Sequence, residues 1–583
     1  MPLRKTFRAQ VSARVLDKAP RFFNGGLGDI FNELLQNARR AGASGVQVET
    51  LDTEQGVFVV VRDDGCGVAD PKTLLTLGGS DWEDGIQASE DPAGIGVFAL
   101  AMRGARIASR RHGSRTGWSV NLVREHFEGK TDVSILPSDI ERGTEVRFPL
   151  LTHESAESEL CKVVRYYPIP VCFNGDPVEQ VRFLGGAIRQ INVDGVTIGV
   201  FAGRLGYCQD TINFHGVTIR HALPSVSNCF DSKQDLHVKF DVRTCTDLKL
   251  VLPARKEIVE DRFFENLKRA AEHAMYSVLK DYSWHTLPFA SWRHASELGV
   301  DLDEARPALR AFVPYKAHDE FDEWGNLVPL LTGQSAIVVE HDEPPTELCL
   351  VRAVEQSRDD LLLLEAEPRY VGYSWYDRLS KLKEVDWAVR QLGVETLLED
   401  YAPRAGEARP DEIYAALTIE EAGKPTTAVR LSTDLVFSGD PSCIEEVKPV
   451  VSSSSTICTG ELSDCIFNAY FSPSDDYDAG HYDDQRRRAE QDAQAVALTI
   501  LVSAEAAERA ALRDELFRTI LWRLPRDRRT AIHVEGSDIR IRSLPLSVRE
   551  RYRRLVRYVA PKLSTFKKAL RSRLEAESSG CGR

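Results

Sequence analysis

The chain has 583 residues, too many for one hydrophobic core and enough for three or four domains. Its 43% apolar and 28% charged residues are ordinary for a globular protein and exclude a disordered one, while the net charge of −14 argues against broad nonspecific nucleic-acid binding. Eleven scattered cysteines without a C-x-x-C pair point to neither a zinc site nor a disulfide framework, and no apolar run reaches the length of a membrane span. The N-terminal MPLRKTFRAQ has no apolar signal core, so a cytoplasmic location without a membrane partner is expected.

In chain order, GDIFNELLQNARRAG at 28–42 predicts a helix with Asp29 as N-cap, apolar positions Ile30, Leu34, Ala38 and Ala41, and Gly42 as the stop. Glu33 and Asn37 share one edge of it, a turn apart. GVQVETL and GVFVVVRDDG then read as paired strands ending in a Gly-rich turn. A loop at 78–93 leads into GIGVFALAMRG, a second helix opened by glycines, and ARIASRR, GWSVNLVRE, TDVSILP and TEVRFPL read as four further strands. The expected fold class is α+β, with a first domain at 1–165 in which helices cover one face of a sheet.

A second α/β domain is expected at 166–290, strand-heavy and closed by a long helix from near Pro253 that buries Ile258, Phe263, Leu267, Ala270 and Ala274. Residues 291–470 read as a third, mixed α/β domain, with helix-like and strand-like runs such as DEIYAALTIEE and TTAVRLSTDLVF. Residues 471–583 read as an exposed linker followed by a largely helical basic region, in which 549–573 carries ten Lys or Arg against one Glu.

Four short boxes bear on chemistry. An acid and an amide share a helix face at Glu33 and Asn37. Asp63 ends a strand in the order D-x-G-x-G with Gly65 and Gly67, where a carboxylate can accept from an exocyclic amine and glycines let a flat base approach the backbone. Gly94 and Gly96 precede an apolar run, and free N–H groups opening a helix can cradle polyphosphate. Gly143 and Thr144 open a strand whose hydroxyl could share Asp63 through a water. Each box alone is equally good as a solvated helix edge or an ordinary turn.

In this order and spacing the boxes resemble the Bergerat nucleotide fold of the GHKL superfamily, which includes gyrase, the ninety-kilodalton heat-shock chaperones, sensor histidine kinases, MutL and MORC proteins. The resemblance covers about the first quarter of the chain. It implies that Asn37 ligates Mg²⁺, that Asp63 binds the adenine amine between Gly65 and Gly67, and that Thr144 supports Asp63. It also implies that Gly94, Ile95, Gly96, Val97 and Phe98 hold the phosphates under a lid at 78–93, and that Glu33 is the general base for the attacking water. A transducer-like second domain would bring Arg255 or Lys256 to the γ-phosphate. Two departures stand out: Arg40 occupies a position where relatives often carry an acid, and the lid is acidic with no Lys or Arg.

Glu33, where sensor kinases carry Asn, favours hydrolysis over phosphate transfer to a protein. The resemblance therefore implies a Mg²⁺-dependent, slow ATPase of the chaperone, MORC and MutL type, in which ATP closes a clamp or homodimer around a protein client. Two alternatives stay open: a DNA-acting module that uses 549–573, with Arg551, Arg554, Tyr558 and Lys562 on phosphates, and a nucleotide switch with little hydrolysis.

Overall fold

A computed structural model describes residues 26–76, 96–206, 209–245, 247–251, 257–314, 326–331, 335–358, 360–401, 409–438, 447–472, 479–519, 528–535 and 538–545. It is a mixed α/β structure with several sheets. Packing divides the chain into two units, one of Met1–Ala308 with Glu367–Arg378 and one of Leu309–Ala366 with Leu379–Arg583.

In the first unit, helix α1 (Leu27–Arg40) buries Leu27, Ile30, Phe31, Leu35 and Ala38, which recur every three or four residues and so form one stripe. Leu34, expected in that stripe, is only half-buried at its margin. The N-cap is Gly26, which contributes no side-chain bond; Asp29 lies in the first turn, where its charge favours the positive helix end. At the other end the Ala43 N–H donates to Ala38 O and the Gly42 N–H to Arg39 O, both at 3.0 Å. This paired closure needs the positive φ of 67° that Gly42 supplies.

Strands β1 (Val46–Thr53) and β2 (Gly56–Asp63) pair antiparallel, from Val46 opposite Asp63 to Thr53 opposite Gly56. With β3 (Ala105–Arg110), β4 (Gly117–Leu122), β5 (Ile135–Ser138), β6 (Gly143–Pro149), β7 (Val171–Phe173) and β8 (Asp176–Pro177) they form an eight-stranded sheet ordered β5-β4-β3-β6-β2-β1-β7-β8. The sheet thus runs past residue 165, because β7 adds in parallel beside β1. Val46, Val48, Val59 and Val61 turn to the face covered by α1 and by α2 (Ala156–Val164), burying Leu160 and Val164 with Phe31 and Phe148. On the opposite face Arg62 pairs with Glu49 and Glu145 at 2.6 and 2.8 Å. Period-two alternation accounts for both faces.

The expected second helix at GIGVFALAMRG is instead a 3₁₀ turn, Gly96–Leu100. Phe98, Ala99, Leu100 and Ala101 are all buried, so the run has no solvent face on which a longer amphipathic helix could continue. The Gly104 N–H closes on Leu100 O at 2.9 Å, and Gly104, at φ 74°, turns the chain into β3.

The second sheet is ordered β12-β11-β14-β10-β9, from β9 (Arg189–Val193), β10 (Val196–Ala202), β11 (Ile212–Phe214), β12 (Val217–Ile219) and β14 (Leu236–Val242), with β13 (Ser225–Val226) on β14. Helix α3 (Arg262–Leu279) packs on it through Phe264, Leu267, Ala271, Ala274 and Met275, with Phe263 and Ala270 at the margin. The helix starts later than the sequence suggests, because the Asp261 carboxylate accepts the Phe264 N–H at 3.0 Å and caps it there. Ile258 belongs to an extended bridge with Leu250 rather than to a helical stripe. In the same unit Tyr370, Tyr373 and Tyr376 are buried, and the Tyr373 hydroxyl donates to Leu287 O at 3.0 Å.

In the second unit, Ala336–Val339 pairs in parallel with Leu362–Glu365 and with Ser380–Gln391. The run DEIYAALTIEE is a strand, Glu412–Glu420, paired with Thr427–Thr433. Helices Thr459–Tyr470, Ala479–Leu501 and Ala504–Thr519 follow, so the expected linker is already helical from Ala479. The C-terminal region is less helical than expected: Arg528–Glu535 and Asp538–Pro545 form a β-hairpin.

Candidate functional site

Helix α1, the end of β2, the start of β6 and the 3₁₀ turn converge at one end of the first sheet. Asp63 closes β2, and its register partner is Thr144, the second residue of β6. The Asp63 Oδ1 accepts the Gly65 N–H at 2.9 Å. Burial pushes the carboxyl up to about 6, against the pull of the backbone N–H groups of Gly65 and Thr144. Thr144 Oγ1 lies 3.1 Å from Ser109 Oγ, which donates to Gly143 O at 2.9 Å and accepts the Val68 N–H at 2.8 Å. Ser109 is fully buried and had no signal in the sequence beyond its place in a strand.

The glycines of these boxes are also required sterically. A Cβ on Gly65 would lie 2.6 Å from the Ala41 Cβ and 2.9 Å from Asp63 Oδ1. One on Gly67, at φ 70°, would lie 2.3 Å from Arg110 O, and one on Gly143, at φ 70°, only 2.0 Å from Asp63 O. These three positions let the Asp63 turn fit against α1, β3 and β6, so their small size positions the carboxylate. The Cys66 N–H also donates to Ala41 O at 2.8 Å, tying the turn to the end of α1.

Glu33 and Gly96, distant in sequence, meet. A Cβ on Gly96 would lie 2.3 Å from Glu33 Oε2, so the carboxylate lies directly over the opening residue of the 3₁₀ turn. Val97 is half-buried and Phe98 fully buried, where its ring packs edge-on against Phe127 at 5.6 Å. Phe98 is therefore a core residue, whereas Gly96 and Val97 remain partly accessible. Asn37 is half-buried, and its Oδ1 accepts from the Arg40 guanidinium at 3.4 Å. Arg40 itself is 8% exposed.

Beside that edge, α1 is tied to the second sheet through Gln36 and to the first sheet's own core through Tyr167. Buried Gln36 donates from Nε2 to His215 O at 2.8 Å, and the Tyr167 hydroxyl donates to Leu35 O at 2.5 Å. His215 and Gly216 make the turn between β11 and β12, and a Cβ on Gly216 would press on Tyr167 at 2.9 Å. Gln36 lies three residues after Glu33 and one before Asn37, to the side of their shared edge rather than on it.

Gly94, Ile95, Arg255, Lys256, the lid at 78–93 and the basic segment 549–573 lie outside the described residues. Among the described residues no helix is long and apolar enough to cross a membrane, and no three His, Cys, Asp or Glu side chains are grouped to hold a metal ion.

No family model matches the sequence, and no curated protein matches it. Among solved structures, the ATPase domain of MutL from Aquifex aeolicus, complexed with ADP, is similar over 37% of this chain and 91% of its own, at 13% identity and a TM-score of 0.24. That score is too low for the likeness to carry weight, so the residues above must support the functional reading by themselves.

Proposed function

We propose that the first sheet and its helices form an ATP-binding domain of the GHKL type, and that the chain hydrolyses the bound nucleotide slowly. The observation that carries this reading is the convergence of Glu33, Asn37, Asp63, Gly96 and Thr144, drawn from four separate stretches of sequence, at one end of one sheet. A half-buried carboxylate held by backbone N–H groups is suited to receive the exocyclic amine of adenine. Glu33, over the backbone of Gly96, is suited to orient a water toward a terminal phosphate held there. Arg255 or Lys256 remains our proposal for the contact to the γ-phosphate.

Binding would be transmitted beyond the site through α1. The bond from Gln36 to His215 O, at the β11–β12 turn, would make a displacement of α1 felt by the second sheet, which supports ATP-driven closure of a clamp or of two copies of the chain.

The test is ATP binding and turnover by the full chain and by Glu33→Ala and Asp63→Ala. Glu33→Ala is expected to retain ATP and lose turnover, and Asp63→Ala to lose binding. Turnover unchanged in Glu33→Ala would remove the assigned base. Oligomeric state with a non-hydrolysable ATP analogue reports closure, and an unchanged mass would remove that part of the reading.

A further inference from the structure

Asp63, Thr144 and Ser109 stand in one row across neighbouring strands. Thr144 lies opposite Asp63 in the pairing of β6 with β2 and opposite Ser109 in the pairing of β6 with β3. Residues directly opposite in antiparallel strands share a face of the sheet, and this one is the face covered by α1, since Val61, Val146 and Ile107, two residues away on each strand, are core. Trp118, opposite Ser109 on β4, extends the row and donates its indole N–H to Val68 O at 3.0 Å. The turn that follows Asp63 therefore crosses the row and is held to it by both polar groups of Val68.

The protons along this row follow from counting. A serine hydroxyl has one proton and two lone pairs. Gly143 O can only accept, so its 2.9 Å bond takes the Ser109 proton; the Val68 amide can only donate, so its 2.8 Å bond takes one Ser109 lone pair. The 3.1 Å contact between Ser109 Oγ and Thr144 Oγ1 is then a bond only if Thr144 donates. Fully buried Ser109 is saturated by these three bonds, and half-buried Thr144 has spent its proton on it. Toward a ligand the Thr144 hydroxyl therefore offers lone pairs alone, as does the ionised Asp63 carboxylate beside it. A water bridging the two does not change this: giving one proton to each, it too turns lone pairs to the ligand.

We infer that Ser109 is a positioning residue that sets base selectivity: by holding the Thr144 proton it makes Asp63 and Thr144 an all-acceptor pair, which admits a 6-amino purine and rejects a 6-oxo one. The inference rests on the nucleotide-site reading and concerns which base is bound, not whether a nucleotide is bound. A 6-amino group brings protons to this pair, whereas a 6-carbonyl in the same place sets oxygen lone pairs against it. In a site without the Ser109 hydroxyl, that of Thr144 would rotate and supply the carbonyl with a donor.

The experiment is competition by ATP and by ITP, its 6-oxo analogue, against a fluorescent ATP analogue on the full-length chain, at an alkaline pH where Asp63 is ionised. It compares wild type, Ser109→Ala, Thr144→Val and the double variant. Wild type is expected to bind ATP about thirtyfold or more tighter than ITP. Ser109→Ala is expected to lower that ratio about fivefold or more, because the released Thr144 proton can meet the carbonyl, and to leave it unchanged when added to Thr144→Val, where no hydroxyl remains to turn. A residue that merely supports the fold would weaken both nucleotides together and leave the ratio alone. Thr144→Val by itself is expected to weaken ATP and not ITP. This arm keeps the test decisive should Ser109→Ala not fold, because weaker ITP binding would mean that Thr144 donates to the ligand, which overturns the inference. A ratio near one in wild type, or one that Ser109→Ala does not move, overturns it too and leaves the nucleotide site standing. Absence of binding by either nucleotide overturns the site reading and this inference together.

Discussion

Asp63→Asn is expected to make the protein more stable and less active, and the structure sets the size of both effects. The Asp63 carboxyl titrates near 6 rather than near 3.8 because burial disfavours its charge. The folded state therefore holds a proton that the unfolded chain has already released, and stability falls as pH rises from about 4 through about 6. At about 1.4 kcal/mol for each pH unit, the charged carboxylate costs the fold about 3 kcal/mol at neutral pH. Asparagine keeps the oxygen that accepts the Gly65 N–H and carries no charge, so most of that cost should disappear. The loss of charge assistance in that bond returns about 1 kcal/mol, leaving a net gain of roughly 1–2 kcal/mol. Chemical unfolding of wild type and variant between pH 4 and 8 measures it: the two should be nearly equal at pH 4 and diverge to a plateau above pH 6. Nucleotide affinity should fall at least tenfold, since the amide can no longer offer a full carboxylate to the adenine amine. A variant that is no more stable than wild type at neutral pH, or a difference that does not depend on pH, would refute the assignment of a desolvated carboxylate held for a ligand.

Three further outcomes follow from the geometry. Gly96→Ala places a methyl group 2.3 Å from Glu33 Oε2, so the carboxylate must swing away; turnover should drop by about tenfold or more while nucleotide affinity changes only a few-fold, measured by phosphate release and titration. Gln36→Met removes the donor to His215 O without changing bulk, at a cost of about 1–2 kcal/mol, and should separate ATP binding from any nucleotide-dependent change in mass; a preserved change would disprove the route through α1. In the second unit His341 is held by Glu347 at 2.9 Å and by Glu365 at 3.7 Å, which raise it to about 10. That stabilisation is complete below about pH 6.5 and lost as pH rises through 10. Because the imidazole is 44% exposed it should amount to only about 1 kcal/mol, and wild type should lose that much more stability than His341→Gln on alkaline unfolding.

Local pattern was enough to read much of the first domain. The alternation that opens GVQVETL and the β-branched run in GVFVVVRDDG point to a hairpin from local sequence, and the stripe through Ile30 and Ala38 defines α1. Both signals are periodic and depend only on neighbours in the chain. Other stretches had no such period. Consecutive burial of Phe98 to Ala101 gave no face to read, and a helix was expected where a 3₁₀ turn stands. EIYAALTIE satisfies a helical or a strand spacing about equally and was decided by its partners at Ser380–Gln391 and Thr427–Thr433.

The residue types for binding a nucleotide were likewise present in the sequence: an acid and an amide a turn apart, an Asp before glycines, a Gly-Thr before a strand. Their chemistry is intrinsic, and so is their order. What only the tertiary structure decided is where each one points. A Cβ on Gly65 would meet Ala41 at the end of α1, one on Gly67 would meet Arg110 at the end of β3, and one on Gly143 would meet Asp63 at the end of β2, so each close approach depends on a different distant segment. Ser109 becomes part of the Asp63 support only when β3 is laid beside β6. Arg40 stood out in the sequence only as a departure from the pattern of relatives, and it is the folded structure that buries it with its guanidinium 3.4 Å from Asn37 Oδ1. Periodicity and residue chemistry are properties of the local chain, whereas burial of a charge is set by which distant segments close over it.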